Sequence, residues 1–243
     1  MTVGWRFIRH TFALLVGVAG PAAAQAAVSG KATVLVFSQQ DEGSRPYEAR
    51  MLVTPQYLRL DNGSDRGGFI LLNRATRTVY SVSRSDHTIL VIRPQKIHFP
   101  RPAGFRQRVV RDKGSYPEIA GKKVVHYTFL TDGKRCFDVY AAAGLLPDAV
   151  AALREYQQVL VGEQAVTEAR TPPSVRSVCD LSRYIFRPAR YLRYGFPVRQ
   201  TDNSGATREL LSYHRAVPVA PGLFTLPPHY RRYSIAQSSG GGP

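Results

Sequence analysis

The sequence predicts an α+β fold that is mainly β, with an antiparallel sheet covered by two or more helices. Between residues 31 and 93, short apolar runs and turn sequences follow one another every 8 to 12 residues, as expected of an antiparallel meander. Two further runs, 124–130 and 135–141, flank a polar turn and predict a hairpin. From residue 147 the apolar residues recur every three to four positions, which indicates amphipathic helices.

The meander is expected to be covered on both of its faces. Residues 69–72 and 89–92 are continuous apolar runs rather than alternating ones, a pattern typical of strands buried on both sides. The later helices are the expected cover. Residues 94–121, with four prolines and many basic residues, predict an irregular excursion attached to the same sheet. The strands of the meander are expected at 31–39, 47–54, 57–62, 67–73, 77–83 and 87–93.

Two helices are predicted after the hairpin. The first covers 147–169, because Pro147 suits the first helical turn and Asp148 suits the positive end of the helix dipole. A pair of prolines then breaks the pattern. A second helical stretch follows, contains Cys179, and ends or kinks at Pro188. The chain is then expected to return to strands at 196–201 and 206–217.

The first 26 residues have the pattern of a secretory signal peptide. Arg6 and Arg9 precede an apolar run at 11–20 that is too short to span a bilayer, and small residues provide a cleavage site before position 27. We expect a periplasmic protein without a lipid anchor, because no cysteine lies near that site, and without a transmembrane segment in the mature chain. The predicted organisation is a signal peptide at 1–26, one domain at 27–235 and a disordered tail at 236–243.

The charge balance is strongly basic. The 243 residues include 33 lysines and arginines against 17 acidic residues, for a net charge of +16. With 44% hydrophobic and 21% charged residues, the composition excludes a disordered tail and a membrane bundle. Nucleic acid is not an expected partner, because no binding motif accompanies the charge and the expected compartment argues against it. An anionic envelope component, such as a phosphorylated lipid, an acidic polymer or an acidic envelope protein, is expected instead.

The two cysteines, Cys136 and Cys179, predict a disulfide. In an oxidising compartment two lone thiols more often bond to each other than stay free. Two buried, reduced cysteines are the alternative. Neither the C-x-x-C spacing of a redox motif nor a second pair of metal ligands is present.

No catalytic signature is present in the sequence. It has no clustered acid–base pair, no nucleophile motif, no phosphate-binding glycine loop and no metal-ligand spacing. Its histidines are isolated from one another, and His126, which alternates with Val125 and Tyr127, is expected at a solvent-facing strand position. We therefore expect a binding protein that is not an enzyme and has no metal or cofactor.

Residues 183–194 have the most distinctive local composition, because four arginines alternate with aromatic residues. This combination can hold phosphate or carboxylate groups while stacking on planar ones. Alternatively, the aromatic residues anchor the segment in the core and the arginines form its solvated edge. A second basic cluster lies between residues 106 and 123. The candidate anionic-ligand or partner face comprises Arg183, Arg187, Arg190, Tyr191, Arg193 and Tyr194.

The order of these features resembles that of a known superfamily. The signal peptide, the long meander, the helices, a late strand beginning at Gly195 and the ending from Leu223 to Tyr230 are similar to the LolA/LolB-like superfamily of bacterial envelope proteins, and within it to an uncharacterised family of secreted proteins. The resemblance implies a curved antiparallel half-barrel, closed by helices around an apolar cavity. It also implies a soluble protein that binds a lipid or another amphiphilic envelope ligand. The alternative is an interaction module that docks an acidic partner through its basic face.

Overall fold

The computed structural model describes residues 30–96 and 98–234. In this part of the chain, twelve strands form one open sheet that carries two α-helices, so the predicted mainly-β α+β class is confirmed. The predicted signal peptide at 1–26 and tail at 236–243 lie outside the described residues. The strands are β1 (Gly30–Gln40), β2 (Tyr47–Val53), β3 (Tyr57–Asp61), β4 (Phe69–Asn73), β5 (Thr78–Ser83), β6 (Thr88–Ile92), β7 (Gln107–Arg111), β8 (Val124–Thr131), β9 (Lys134–Ala142), β10 (Phe196–Asp202), β11 (Thr207–Val219) and β12 (Arg231–Tyr233).

The sheet consists of two halves joined through its longest strands. The strand order is β12-β6-β5-β4-β3-β2-β1-β11-β10-β9-β8-β7, and neighbours are antiparallel except for β12 and β6. Strands β1–β6 are the predicted meander, and β8–β9 are the predicted hairpin. β1 and β11 connect the two halves and pair Gly30 with Val219.

One strand lies where the sequence predicts irregular structure. Residues Gln107–Arg111 form β7, which pairs with β8. The prediction of an irregular excursion at 94–121 is therefore wrong for this strand, whereas its attachment to the same sheet is confirmed. Two adjacent valines among polar residues are too few to give a clear strand pattern. The edge of β8 supplies the hydrogen bonds that hold β7 in place.

Helix α1 (Pro147–Arg170) begins at the predicted residue and lies across the strands rather than along them. Three side-chain contacts mark its path, one each to β1, to the turn after β4 and to the segment after β6. From the first contact to the third, the helix rises about 22 Å, close to the roughly 24 Å across five strand spacings. The three contacts are Thr33–Asp148, Arg74–Glu155 and Gln95–Glu163, at 2.7, 2.6 and 2.9 Å.

No helix in the described part of the chain has both the length and the hydropathy to cross a membrane.

Both faces of the meander are covered, as the sequence predicts, but by different parts of the chain. On the inner face, which we define as the face that α1 covers, Leu35 and Met51 are fully buried in the main core. The opposite, outer face is covered by residues near the C-terminus. There Phe224 stacks on Tyr57 with 5.4 Å between ring centroids, and it belongs to a second core around Leu71. The helix is therefore the cover of one face, and the C-terminal segment is the cover of the other.

The second predicted helical stretch is present and carries the predicted disulfide. It comprises α2 (Val178–Asp180), a π-helical stretch (Leu181–Phe186) and a 3-10 turn (Arg190–Tyr194), which together we call the helical segment 178–194. Cys179 of this segment is bonded to Cys136 of β9. The disulfide therefore fastens the segment to the sheet.

A β-bulge places Cys136 for this bond. Between Phe129 and Leu130 of β8 the register slips by one residue, which leaves Cys136 of β9 without a partner in the ladder. Strict alternation would turn Cys136 and Phe137 to opposite faces. Because of the bulge, both contact the helical segment 178–194.

Candidate functional site

Two adjoining cavities share part of their lining. The inner cavity, of about 280 Å³, is lined by strands of both halves of the sheet, by α1 and by the helical segment 178–194. The second, which we call the outer groove, has about 520 Å³ and is lined mainly by β1–β5. The residues that line both are Gln39, Leu60, Tyr156 and Arg208. The main apolar residues of the inner cavity are Phe37, Met51, Leu60, Leu153 and Phe196.

Arg208 is a cation at the wall shared by the two cavities. It lies on β11 between Gln39 and Gln200 of the adjacent strands, and its guanidinium carbon is 4.0 Å from the centroid of the Phe37 ring. Its Nε is buried without a hydrogen-bond partner, and no ion pair among the described residues includes Arg208. Burial lowers the pKa of Arg208, but an arginine stays protonated at neutral pH. A partly desolvated positive charge therefore borders both cavities.

Two tyrosines, one half-buried and one buried, accompany Arg208 in the inner cavity. Tyr156 belongs to α1 and Tyr191 to the helical segment 178–194. Burial raises the pKa of Tyr156 to about 12 and also raises the pKa of Tyr191. Both phenols are therefore neutral at physiological pH. They can donate hydrogen bonds to an anion, but they cannot neutralise Arg208.

Arg183 also lines the inner cavity, but its charge is already paired. Its Nη1 donates to Oδ2 of Asp202 at 2.9 Å. Burial raises the pKa of Asp202, but hydrogen bonds from Ser204 and the charge of Arg183 outweigh this and lower it. Of the two arginines that line the inner cavity, Arg208 is thus the one without an acidic partner among the described residues.

The six residues of the predicted Arg/Tyr face do not lie on one surface. Arg187 and Arg193 are exposed, whereas Tyr191 is only 7% exposed. The ring of Tyr194 packs against Tyr127 of β8, with 4.2 Å between centroids. The aromatic residues therefore anchor the segment in the core, as the alternative interpretation of this segment expects.

Arg190 of the same face lies in apolar surroundings. Its guanidinium carbon is 4.9 Å from the ring centroid of Phe129 and 5.7 Å from that of Phe137. Its Nε and Nη2 are buried without hydrogen-bond partners, and burial lowers its pKa to about 10. Arg190 lines neither the inner cavity nor the outer groove.

Sequence reasoning missed Arg208 and Tyr156. A signal for Arg208 exists in the alternation of β11. Ala206 lines the inner cavity and Leu210 packs on the main core, whereas Leu211 is 54% exposed. Residues 206 and 210 therefore lie on the inner side of the strand. Alternation places residue 208, which is the charged Arg208, on the same side.

A polar cluster lies on the outer face of the β8–β9 hairpin. Nε2 of His126 is 2.8 Å from Oδ1 of Asp138, and Nδ1 is 3.4 Å from Oδ2 of Asp112. The imidazole stacks on Tyr140 with 4.5 Å between centroids, and its side chain is 14% exposed. The expectation of a solvent-facing His126 is therefore wrong, because neighbouring side chains cover the ring. Within residues 30–96 and 98–234, no group of three or more His, Cys, Asp or Glu side chains is placed to hold a metal ion.

Comparisons with known proteins give weak structural likenesses. No protein-family model matches the sequence, and no curated protein matches it. An uncharacterized conserved protein from Thermus thermophilus is 12% identical, with a TM-score of 0.42 over 84% of this chain and 91% of that one. The structure of PNGF-II in its C2 crystal form is 11% identical, with a TM-score of 0.43 over 86% of this chain. This chain covers 32% of the PNGF-II chain. Likenesses at this level do not identify a family, and the resemblance to the LolA/LolB-like superfamily stays a prediction.

Proposed function

We propose that this protein binds an amphiphilic anion, an apolar chain that ends in a carboxylate or phosphate group, between its sheet and its helices. In this proposal it is a non-enzymatic binding protein of the bacterial periplasm, and its ligand is an envelope lipid or acyl chain. The observation that carries the proposal is Arg208, whose buried Nε lacks a partner at the wall shared by the inner cavity and the outer groove.

The charge of Arg208 supports an anionic head group. Removing an ion from water costs several kcal/mol unless an opposite charge or hydrogen bonds offset it. A carboxylate or phosphate beside Arg208 would accept charge-assisted hydrogen bonds from the guanidinium. The neutral hydroxyls of Tyr156 and Tyr191 are further donors in the same lining.

The apolar part of the lining supports an alkyl chain. Phe37, Met51, Leu60 and Phe196 contribute side chains to the inner cavity. Burying alkyl surface there would contribute about 25 cal/mol per Å². The volume of about 280 Å³ is near the lower limit for ligand pockets, so a long chain would extend into the outer groove of about 520 Å³.

Titration calorimetry with dodecanoate, dodecyl phosphate and dodecanol tests the proposal, because the three ligands share a chain and differ in their head group. We expect the two anions to bind the native protein more tightly than the alcohol does. Arg208→Met should weaken the binding of the preferred anion by about 10- to 100-fold, the value of a charge-assisted hydrogen bond. Its effect on dodecanol should stay within about threefold.

Arg215→Met is the matched control, because Arg215 lies on the same strand and is exposed. It should leave the binding of all three ligands unchanged. Arg208→Lys keeps the charge and should retain part of the affinity. The proposal is overturned if the native protein binds neither anion, or if a folded Arg208→Met variant binds the anions as tightly as the native protein does.

A further inference from the structure

The two edges of the described sheet end in different strands, β12 and β7. At β6, the C-terminal strand β12 adds to the edge in parallel and covers it. At the other end, β7 pairs with β8, and no described strand lies beyond it. An unpaired strand edge offers a row of backbone donors and acceptors to another chain. β7 is thus the longer of the two edge strands of the described sheet, with five residues against three in β12.

The backbone groups that face away from β8 follow from the ladder. Asp132 N–H donates to the carbonyl of Arg106, and Asp112 N–H donates to the carbonyl of His126. Along an antiparallel pair, residues whose backbone groups bond to the partner strand alternate with residues whose backbone groups point away from it. The N–H and C=O groups of every second residue between Arg106 and Asp112 therefore point away from β8. These residues are Gln107, Val109 and Arg111.

The side chains along this edge are strongly basic. Four cations are exposed between residues 106 and 113, and no ion pair among the described residues includes any of them. The acidic residue of this stretch, Asp112, accepts hydrogen bonds from the hydroxyl of Tyr116 and from Gly114 N–H. The four cations are Arg106, Arg108, Arg111 and Lys113.

The positive charges along β7 determine which kind of strand can pair with it. If two copies of the chain paired through β7, four exposed cations from each copy would be brought to one edge, and their like charges would repel one another. Charged edges prevent such self-association in many proteins. The same charges attract an acidic strand. Arg106 and Arg108 lie on the outer face beside Val110, whereas Val109 lies on the other face against the main core. A strand that alternates carboxylates with apolar residues can therefore face Arg106 and Arg108 with its carboxylates and place its apolar residues beside Val109.

We propose that β7 binds an extended acidic segment of another protein as an additional antiparallel strand. Backbone hydrogen bonds to Gln107, Val109 and Arg111 would hold the segment, and the arginines would select its charge. The acidic partner expected from the sequence is thereby assigned to the β7 edge and not to the Arg/Tyr face. This surface is separate from the two cavities, so the proposal does not depend on the ligand proposed above.

A synthetic heptapeptide of alternating glutamate and valine, with blocked ends, is the probe for this proposal. We expect it to bind the native protein and to slow amide hydrogen exchange at Gln107, Val109 and Arg111. The double variant Arg106→Glu/Arg108→Glu, which changes two side chains on the same face of the strand, should weaken binding by at least tenfold. A peptide of the same sequence with every second amide methylated keeps its charge but loses strand hydrogen bonds, and it should also bind at least tenfold more weakly.

Arg187→Glu/Arg193→Glu is the matched control, because it reverses two exposed charges on the predicted Arg/Tyr face. It should change the affinity by less than about threefold. Three results would overturn the proposal: absence of binding to the native protein, equal binding of the methylated peptide, or an equal loss in the control variant. The second and third would show attraction by net charge alone.

Discussion

The guanidinium carbon of Arg208 lies 4.0 Å from the centroid of the Phe37 ring, so a positive charge rests on an aromatic face beside the inner cavity. A cation–π contact of this kind stabilises by about 0.5 to 2 kcal/mol. Taking an ion out of water costs several kcal/mol. Because Nε of Arg208 also lacks a hydrogen-bond partner, the contacts around it do not offset its desolvation. We infer that Arg208 lowers the stability of the unliganded protein.

Replacing Arg208 by methionine is therefore expected to raise the free energy of unfolding by about 1 kcal/mol. Arg183→Met should do the opposite and lower it by about 1 kcal/mol, because it removes the ion pair with Asp202. Urea denaturation of the two variants and the native protein measures both changes. A loss of stability in Arg208→Met as large as that in Arg183→Met would show that Arg208 serves the fold instead of a ligand.

Removing the disulfide should lower the free energy of unfolding by about 4 kcal/mol. The bond closes a loop whose ends are 43 residues apart, and the chain-entropy model gives this value for such a loop. The measurement is urea denaturation of Cys136→Ala/Cys179→Ala against the native protein in oxidising buffer. Adding dithiothreitol should lower the free energy of unfolding of the native protein to that of the variant, and it should leave the free energy of unfolding of the variant unchanged. Equal stabilities in oxidising buffer would contradict the bond.

The fold could be predicted from the sequence where the determinants are local. The meander and the start of α1 follow from turn residues, strand patterns and Pro147, which act over a few residues. The pairing of β1 with β11 could not be read in this way, because the two strands lie far apart in the sequence and are brought together by tertiary packing. β7 was missed for the same reason: its five residues become a strand because β8 offers an edge.

The candidate site was less predictable than the fold. Residues 183–194 are distinctive in composition, yet most of their aromatic residues serve the core. Arg208 has no distinctive neighbours in the sequence. What makes it notable is its contact with the ring of Phe37 from β1, the nearby Tyr156 from α1 and the absence of an ion pair with it among the described residues, all of which arise from tertiary packing. Alternation can place Arg208 on the inner face but cannot show that its charge is unpaired.

Asp138 is expected to contribute stability that is lost in acid. Burial raises its pKa, but hydrogen bonds from Arg135, Thr128 and His126 outweigh this and lower it. A carboxyl group whose pKa is lower in the folded state stabilises the fold above its unfolded pKa, near 3.9, and loses that effect as the pH falls through its folded pKa.

Asp138→Asn should therefore reduce the free energy of unfolding by about 1 to 2 kcal/mol at pH 7, and the difference should shrink below about pH 4. Urea denaturation across this pH range provides the measurement. Glu48→Gln is a suitable control, because Glu48 is an exposed carboxylate and no ion pair among the described residues includes it. A penalty for Asp138→Asn that is independent of pH would indicate a packing effect and contradict the electrostatic explanation.

Glu163 and Glu155 lie on the same helix and are expected to respond to pH in opposite ways. Glu163 is 5% exposed, Gln95 donates to one of its oxygens and the other is buried without a partner, and burial raises its pKa. The hydrogen bonds from Arg74 lower the pKa of Glu155. A raised pKa gives stability that is present below the unfolded pKa, near 4.3, and is lost as the pH rises through the folded pKa; a lowered pKa gives the reverse.

Glu163→Gln should consequently raise the free energy of unfolding at pH 7 by about 1 kcal/mol, since it removes a buried charge and keeps the shape of the side chain. Glu155→Gln should lower it by about 1 kcal/mol, since the ion pair with Arg74 is lost. The Glu163 difference should approach zero below the unfolded pKa, near 4.3, whereas the Glu155 difference should begin to shrink there and vanish only below the lowered folded pKa of Glu155. Urea denaturation of the pair at several pH values tests this, and two variants that shift stability in the same direction at pH 7 would refute the assignment.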